Sequence, residues 1–270
     1  MISIVCVYNN EKIFNDWTLK SLKNQTVEYE LIRIDNTKNQ FKSAAQALNY
    51  GGKQAKGKYI MFVHQDIDLS SNSWLKDTEK ILDSLPDLGI AGIIGSATEG
   101  DNAQERTLNI IRHADNQRLI GNPIIAPERV QTLDELLLII PKHIFEKYQF
   151  DETACDDWHL YGVDYCLTVG CLGLGVYVIP MFVRHMSEGA GLKPLFSLRV
   201  ILNFGPMVKE YYRSLDKVLE KHKNNYKWIY TTCGHGKWSV SQPLIFQRIA
   251  HLTKEYLKGF MHKIKRVITL

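Results

Sequence analysis

The order of short apolar runs in residues 1–95 constrains the fold most strongly. Runs at Ile2–Tyr8, Glu30–Ile34 and Tyr59–Val63 alternate with segments of helical spacing, and Gly89–Gly95 adds a fourth run. Short apolar strands separated by helical segments are typical of a mostly parallel sheet covered by helices. We therefore predict an α/β fold.

The segments between these runs carry helix signals. Ala44, Ala45 and Leu48 lie at the spacing of a helix that packs closely on a sheet, and Gly57 suits its C-terminal end. Ser73 can cap a further helix, because a serine hydroxyl accepts a backbone N–H at a helix start. We expect these helices to cover the sheet.

The second part of the chain is less regular. Ala97–Ala126 is polar with few periodic signals, and such a long stretch in a compact domain is commonly a functional loop. We interpret it as a lid or an acceptor loop. Strands are predicted at Val130–Ile140 and Val176–Phe182, with a short helix at Lys142–Tyr148.

The length and composition allow one large domain with an appendage. The chain has 270 residues, of which 45% are hydrophobic, and this is enough to bury a sizeable core. We predict one domain over residues 1–190, with a nucleotide-binding half at 1–95 and an acceptor half at 96–190. A mainly helical extension over 191–270 follows.

Composition excludes several classes of protein. The net charge of +4 is modest and both signs are scattered, which argues against nucleic acid as a partner. The five cysteines include no Cys-x-x-Cys pair and fit reduced thiols. The chain shows no export signal at its start and no apolar run near the roughly 20 residues of a membrane-spanning helix. We expect a cytoplasmic protein, either free or peripheral at the inner face of the membrane.

The C-terminal stretch is amphipathic and basic. Lysines such as Lys254, Lys258 and Lys263 are interleaved with apolar residues at helical spacing. The apolar residues are Phe246, Ile249, Ala250, Tyr256, Leu257, Phe260, Ile264 and Val267. We prefer packing on the same domain or within a homo-oligomer, and keep contact with an anionic membrane surface as the alternative.

Polar residues follow three of the predicted strands. Tyr8 and Asn9 lie at the end of the first, Asp35 follows the second, and Gln65 and Asp66 follow the third. Because open parallel sheets bind ligands at the carboxyl ends of their strands, these residues indicate a nucleotide site. The chain has neither a glycine-rich dinucleotide motif nor a P-loop, so the phosphates need another positive partner.

A divalent cation is one such partner. Hard cations prefer carboxylate oxygens such as those of Asp66 and Asp68. The Asp-x-Asp spacing alone is a weak signal, because it also occurs in surface turns, but its place after a buried strand strengthens it. A lone histidine at a strand end is more often an ordinary polar residue than a ligand, and we interpret His64 in that way.

Taken in order, these segments resemble the family 2 glycosyltransferases over residues 1 to about 190. Ser3–Asn9 is similar to that family's first strand, and Ile34–Thr37 to its uridine-contacting turn. Ala44–Asn49 and Ala55–Val63 are similar to its helix and third strand, and the Asp-x-Asp position follows.

The resemblance continues on the acceptor side. Thr132–Glu135 and Phe145–Glu152 are similar to the acceptor segment, and Tyr177–Pro180 leads to a matching His185. The compact size and the segment Asp156–Asp164 also resemble bacterial surface-glycan and adhesin-modifying transferases. The resemblance implies a GT-A fold, a UDP-sugar donor and Mn²⁺ or Mg²⁺ as the cofactor.

The resemblance also implies roles for single residues. Asp35 would accept a hydrogen bond from the uracil ring, and Asp66 would join the cation to the diphosphate. Asp68 and His185 would be further metal ligands, and Arg184 would balance phosphate charge. The implied nucleotide-binding residues are Val7, Tyr8, Asn9, Asp35, Asn49, Gln65 and Asp66. The family often has two carboxylates in its Asp-x-Asp, so the number of carboxylate ligands here stays open.

An inverting reaction, which is general in family 2, needs a carboxylate that takes the proton of the acceptor hydroxyl. We choose Asp157 as this base, with Asp164 as the alternative. Asp134, Trp158 and Tyr161 are the predicted acceptor-binding residues. The two aromatic residues equally suit a place in the core.

The main hypothesis is an inverting glycosyltransferase. It would move a hexose or N-acetylhexosamine from a UDP-sugar to a glycan, glycoprotein or glycolipid acceptor. The alternative is a non-catalytic nucleotide- or sugar-binding module on the same fold. A sugar-phosphate nucleotidyltransferase is disfavoured, because Asn9–Glu11 does not supply the glycine-rich, basic loop that such an enzyme uses.

Overall fold

The computed structural model describes residues 1–113, 119–186, 206–232 and 236–250, together with Thr253. The strands in these ranges are β1 Ile2–Tyr8, β2 Tyr29–Asp35, β3 Tyr59–Val63, β4 Ile67–Asp68, β5 Leu88–Gly92, β6 Gly95–Ser96, β7 Thr107–Leu108, β8 Ile111–His113, β9 Leu119–Ile120, β10 Glu128–Arg129, β11 Thr132–Leu133, β12 Leu137–Pro141, β13 Gly175–Val178, β14 Arg184–His185, β15 Trp228–Ile229 and β16 Trp238–Ser239. The helices are α1 Glu11–Phe14, α2 Lys20–Lys23, α3 Ala44–Gly52, α4 Trp74–Asp83, α5 Ala103–Arg106, α6 Lys142–Phe145, α7 Tyr161–Cys171 and α8 Pro206–His222. A π-helix at Asn15–Leu19 joins α1 to α2, and residues 244–250 are also helical.

The central sheet has seven strands in the order β10-β13-β5-β12-β3-β1-β2. β1 runs parallel to β2 and β3, and β13 runs parallel to β5. β12 is antiparallel to both of its neighbours, and β10 is antiparallel to β13 at the edge. The predicted α/β fold is confirmed, with a mixed sheet in which the first three strands are parallel.

Helices cover both faces of this sheet. On one face Leu48 of α3, Val163 of α7 and Leu215 of α8 belong to one core cluster. On the other face Leu22 of α2 and Leu75 of α4 belong to a second cluster. All five residues of β3 are buried, as expected for a strand with apolar neighbours on both faces.

The sequence signals at the helix ends are only partly correct. Ser43 caps α3, because its side chain accepts the N–H of Gln46, but the helix ends at Gly52 rather than near Gly57. A Cβ at Gly57 would lie 2.7 Å from the carbonyl oxygen of Met1, so this glycine permits close backbone approach. Ser73 precedes α4 without a capping bond, and its hydroxyl donates to the Asp77 carboxylate instead.

The acceptor half is more regular than predicted. The polar stretch 97–126 contains α5 and short strands, although residues 114–118 lie outside the described ranges. β6 pairs with β7 and β11, while β4 pairs with β14, which pairs with β8. The single strand predicted at 130–140 is two strands, β11 and β12, separated by a turn at 134–136. Strands of two residues carry too few apolar positions for a period of two to be visible.

The described part of the predicted extension packs on the rest of the chain. Val218 and Leu219 of α8 lie in the same core cluster as α7, and so do Ile229 and Trp238 of the β15–β16 hairpin. The division at residue 190 stays a prediction, since residues 187–205 and most of 251–270 lie outside the described ranges. Among the helices of the described ranges, none combines the length and the apolar character needed to cross a membrane.

Candidate metal and nucleotide site

Three side chains that can bind a metal meet beside the carboxyl end of β3. His64 and Asp66 lie on the loop that follows this strand, and His185 ends β14. The Nε2 atom of His185 is 3.3 Å from an Asp66 carboxylate oxygen, and one ligand atom from each of the three residues lies within 4.8 Å of the others. We refer to His64, Asp66 and His185 as the His–Asp–His cluster.

Backbone pairing fixes the positions of these three residues. His185 lies opposite Ile67 in the β4–β14 ladder, and the N–H of Met186 donates to the carbonyl oxygen of Asp66 at 2.8 Å. The N–H of His64 donates to Leu136 at 3.0 Å, which ties the loop to the start of β12. The cluster is therefore held by strand pairing on two sides.

A buried threonine from the π-helix supports the same loop. The hydroxyl of Thr18 lies 2.9 Å from the carbonyl oxygen of His64 and accepts the N–H of Ile67 at 3.0 Å. Only 1% of Thr18 is exposed, so these bonds are shielded from water. Sequence reasoning missed Thr18, because one threonine in a helical segment carries no recognisable signal.

The surroundings of His64 favour its neutral form. Burial lowers the pKa of this imidazole below its usual value, and the nearby Asp66 carboxylate opposes the shift only in part. A neutral imidazole has a lone pair for a metal, whereas a protonated one does not. Sequence reasoning interpreted His64 as an ordinary polar residue, and its partner His185 is too far away in the chain for any spacing rule to connect them.

Asp68, the other predicted carboxylate ligand, lies outside this cluster. Its carboxylate accepts the N–H of Ser70 at 2.9 Å and lies 3.9 Å from the guanidinium of Arg184. Asp68 lies within β4, whereas Asp66 lies on the loop between β3 and β4. A ligand role for Asp68 stays a prediction.

The predicted nucleotide residues Asn9 and Gln65 join the ends of β1 and β3. The side-chain oxygen of Gln65 accepts the N–H groups of Asn9 and Asn10 at 3.1 and 3.0 Å. Its amide nitrogen donates to the Asn9 side chain at 2.8 Å. The ring of Tyr8 stacks on Phe14 with the ring centroids 5.0 Å apart. These contacts fix the loops beside the cluster.

Asp35 lies opposite Tyr8 in the β1–β2 register, at the same edge of the sheet. Its carboxylate is exposed and accepts the hydroxyl and the N–H of Thr37 at 2.7 and 2.8 Å. These bonds hold the pKa of Asp35 below its usual value. Val7 is half-buried within β1. The edge thus carries a rigid, ionised carboxylate.

Asn49, another predicted nucleotide residue, is used inside the protein. It is 2% exposed and bonds both backbone groups of Phe150, at 2.9 and 3.0 Å. Its amide also donates to the carboxylate of Glu152 at 2.9 Å. These bonds link α3 to the segment before α7, and contact between Asn49 and a nucleotide stays a prediction.

The two predicted catalytic bases are buried against α8. The Asp157 carboxylate accepts the Ser214 hydroxyl at 2.9 Å and the Arg213 guanidinium at 3.1 Å. The Asp164 carboxylate lies 2.8 Å from both Lys221 and His222. Asp157 and Asp164 are 4% and 2% exposed. The structure brings them together with basic residues of α8, and a role as base stays a prediction for each.

A family comparison covers the residues at this edge of the sheet. The sequence profile of the glycosyltransferase-like family matches residues 3–188, which include the His–Asp–His cluster and all of the central sheet except Ile2. This chain belongs to the glycosyltransferase-like family. A search of curated proteins found no match.

Solved structures share the fold of this glycosyltransferase-like chain. GalNAc-T7 with UDP, GalNAc and Mn²⁺ aligns at a TM-score of 0.51 and 13% identity, over 80% of this chain and 48% of its own. TarS of S. aureus with UDP aligns at a TM-score of 0.50 and 14% identity, over 81% of this chain and 64% of its own. The mannosyltransferase PcManGT from Pyrobaculum calidifontis, with GDP-Man and Mn²⁺, aligns at a TM-score of 0.51 and 12% identity. This alignment covers 84% of this chain and 65% of PcManGT. At such identities the likeness establishes the GT-A fold alone, and this chain spans less than two thirds of each of these three.

The predicted acceptor-binding residues of this glycosyltransferase-like chain have different surroundings. The half-buried carboxylate of Asp134 accepts the Thr232 hydroxyl at 2.8 Å. Trp158 is 41% exposed, whereas Tyr161 is buried with its ring edge-on to Phe150. Of the two alternatives considered for the aromatic residues, Tyr161 has the position of a core residue and Trp158 that of a surface residue.

Sequence reasoning also missed Glu135, which adjoins Asp134 in the turn between β11 and β12. Its carboxylate accepts the N–H of Gly162 at the start of α7, at 3.0 Å. Burial nevertheless raises the pKa of Glu135 to about 8. A carboxyl group with such a pKa exchanges protons near neutral pH, which is useful for acid–base chemistry.

Proposed function

We propose that this chain is a sugar-nucleotide-dependent glycosyltransferase whose metal site is the His–Asp–His cluster. The observation that carries the proposal is the meeting of His64, Asp66 and His185 at the end of β3 in a glycosyltransferase-like chain. The predicted nucleotide residues Asn9 and Asp35 lie at the same edge. Donor and metal would therefore meet at one place.

The donor atoms of the cluster fit a divalent transition metal. Two imidazole nitrogens and one carboxylate oxygen suit a borderline ion such as Mn²⁺ better than they suit Mg²⁺, which prefers oxygen ligands. Two of the structural neighbours, GalNAc-T7 and PcManGT, were solved with Mn²⁺ and a nucleotide or nucleotide sugar. When bound, the cation would supply positive charge that stabilises the departing diphosphate.

The donor is proposed to be a UDP-sugar. Asp35 is exposed, fixed by Thr37 and ionised, so it can accept an N–H of the uracil ring. The transferred sugar would be a hexose or an N-acetylhexosamine, and the acceptor a glycan, glycoprotein or glycolipid. A bacterial surface-glycan or adhesin-modifying pathway and a cytoplasmic location belong to the same proposal.

The proposed reaction inverts the anomeric carbon. A carboxylate takes the proton of an acceptor hydroxyl, the oxygen bonds to the anomeric carbon, and the bond to the diphosphate breaks. The sequence predicts Asp157, or else Asp164, for this role, but both carboxylates already bind side chains of α8. Asp134 is half-buried, and its charge lies near enough to His64 to affect the pKa of that imidazole, so it ranks first among the candidates, with Glu135 beside it.

The test is nucleoside diphosphate release from a panel of UDP-sugars and GDP-mannose, with Mn²⁺ or with chelator. We expect Mn²⁺-dependent turnover of one UDP-sugar, which Asp66→Ala abolishes. Asp68→Ala is the matched control, because it removes a carboxylate two residues away that lies outside the cluster. Binding of UDP without turnover in the presence of candidate acceptors would favour the non-catalytic module, and the absence of both would refute the proposal.

A further inference from the structure

The β15–β16 hairpin is attached to the chain segment around β11 by side-chain hydrogen bonds. The Gln131 side chain donates to the carbonyl oxygen of Trp228 at 3.0 Å and accepts the N–H of Tyr230 at 2.7 Å. The hydroxyl of Thr132 donates to the carbonyl oxygen of Tyr230 at 2.5 Å. Ile229, between the two aromatic residues, is fully buried in the core. The backbone of β15 is therefore fixed against the acceptor half.

A buried arginine fixes the hairpin from the side of α5. The guanidinium of Arg106 donates to the carbonyl oxygen of Gly236 at 3.4 Å and lies 5.1 Å from the ring centroid of Tyr230. Arg106 is only 3% exposed. Gly236 has a φ of +66°, and a Cβ there would lie 2.9 Å from the Cβ of Ala103. A glycine at this position therefore permits both the backbone conformation and the close approach to α5.

This attachment brings Thr232 to the carboxylate of Asp134. Thr232 lies two residues beyond Tyr230, and its hydroxyl donates to one Asp134 carboxylate oxygen at 2.8 Å. The other oxygen accepts the N–H of Leu136 at 3.2 Å, and the N–H of Asp134 donates to Ile94 at 2.9 Å. Bonds to both oxygens fix the orientation of the carboxylate. Since each oxygen can accept a second hydrogen bond, a substrate hydroxyl can still bind.

The fixed carboxylate lies beside the His–Asp–His cluster. The N–H of His64 donates to the carbonyl oxygen of Leu136, two residues after Asp134. Burial lowers the pKa of His64, and the charge of Asp134 is among those that oppose this shift. A general base needs a defined position within hydrogen-bond reach of the proton that it takes. The matched family profile ends at residue 188, so Thr232 belongs to a part of the chain that the profile does not cover.

We propose that Thr232 is a positioning residue, which holds the Asp134 carboxylate in the orientation that takes the proton of the acceptor hydroxyl. The inference rests on the proposed transferase activity. In the reaction the acceptor O–H bond breaks, its proton moves to Asp134, and the acceptor oxygen bonds to the anomeric carbon. The nucleoside diphosphate leaves with the electron pair of the bond that breaks. Thr232 keeps its own proton, and the C-terminal hairpin completes the acceptor side of the site.

The test compares nucleoside diphosphate release with the donor that the wild-type chain turns over, in the presence of Mn²⁺. Asp134→Asn should lower kcat about 100-fold or more, and Thr232→Val about tenfold, because a misplaced base slows the reaction without weakening donor binding. The KM for the donor and the Mn²⁺ affinity should stay at wild-type values. Thr232→Ser keeps the hydroxyl and should restore most of the rate.

Thr168→Val is the matched control. It removes the hydroxyl of a half-buried threonine on α7, which donates to the carbonyl oxygen of Asp164 at 2.9 Å, and it should turn over like the wild type. The double variant Asp134→Asn/Thr232→Val separates positioning from a general loss of structure. If Thr232 acts through Asp134, the double variant is as slow as Asp134→Asn alone.

Three results would overturn this inference while wild-type turnover still supports the proposed function. They are additive losses in the double variant, a wild-type rate in Thr232→Val, and a wild-type rate in Asp134→Asn. Absence of turnover by the wild-type chain with every donor would instead refute the proposed function, and this inference with it.

Discussion

Two groups of aspartates in this chain have the same chemistry and opposite surroundings. Asp66 lies beside two imidazoles, on the loop that follows β3. Asp157 and Asp164 are covered by α8 and bonded to its basic side chains. The difference shows that the local sequence around an aspartate does not fix its surroundings, which depend on the elements that pack on it.

Among single substitutions of these aspartates, the largest effect on stability is expected at Asp164. Asp164→Ala leaves Lys221 without one of its two carboxylates, and it removes the carboxylate that faces the almost fully buried imidazole of His222. We expect a loss of about 3–5 kcal/mol in the free energy of unfolding, measured with urea. Unchanged stability combined with lost turnover would identify Asp164 as the catalytic base instead.

A smaller effect is expected at Asp157. Asp157→Asn keeps an acceptor for the Ser214 hydroxyl but removes the charge that faces Arg213, so we expect a loss of about 1.5–3 kcal/mol. The turnover rate of the folded variant should stay near that of the wild type. A fall of about 100-fold or more in kcat at an unchanged melting temperature would show that Asp157 is the base. Asp156→Asn, at the exposed neighbour, is the control.

Thr18→Val tests how far one buried hydroxyl supports the loop that carries His64 and Asp66. The substitution keeps the shape of the side chain but removes the hydroxyl that holds His64 and Ile67. We expect Mn²⁺ affinity to fall about tenfold, measured by electron paramagnetic resonance, because supporting residues orient metal ligands. Thr18→Ser should restore most of the affinity. Wild-type affinity in the valine variant would mean that strand pairing alone fixes the loop.

A further expected effect is the pH dependence of stability that Glu135 contributes. Its pKa is raised from 4.5 to about 8, so the folded chain binds more protons than the unfolded chain between these values. Stability from this residue therefore decreases as pH rises from 4.5 to 8. Glu135→Gln should remove this pH dependence. In urea unfolding, the free energy of unfolding of the variant, relative to that of the wild type, should therefore be higher at pH 8 than at pH 5.5. Parallel pH profiles would contradict the raised pKa.

Much of the nucleotide half could be predicted from the sequence. The four apolar runs became β1, β2, β3 and β5, because a buried parallel strand needs a continuous apolar segment. Residues that directly follow such strands, such as Asn9 and Asp66, were then located by the fold class alone.

The remaining features depend on contacts between distant residues. His64 meets His185 only because β14 pairs with β4, and no pattern in the sequence encodes that pairing. The burial of Asp164 depends on α8, which begins more than 40 residues later. Thr18 supports the metal loop through a single hydroxyl, which is too local a feature for periodicity to reveal.

The most direct test of the central claim is anomalous diffraction from crystals grown with Mn²⁺ and UDP. We predict one manganese peak bound by His64, Asp66 and His185, next to the diphosphate, and no peak in crystals of Asp66→Asn. A manganese ion bound through Asp68 without His64, or a peak elsewhere in the protein, would contradict this account of the site.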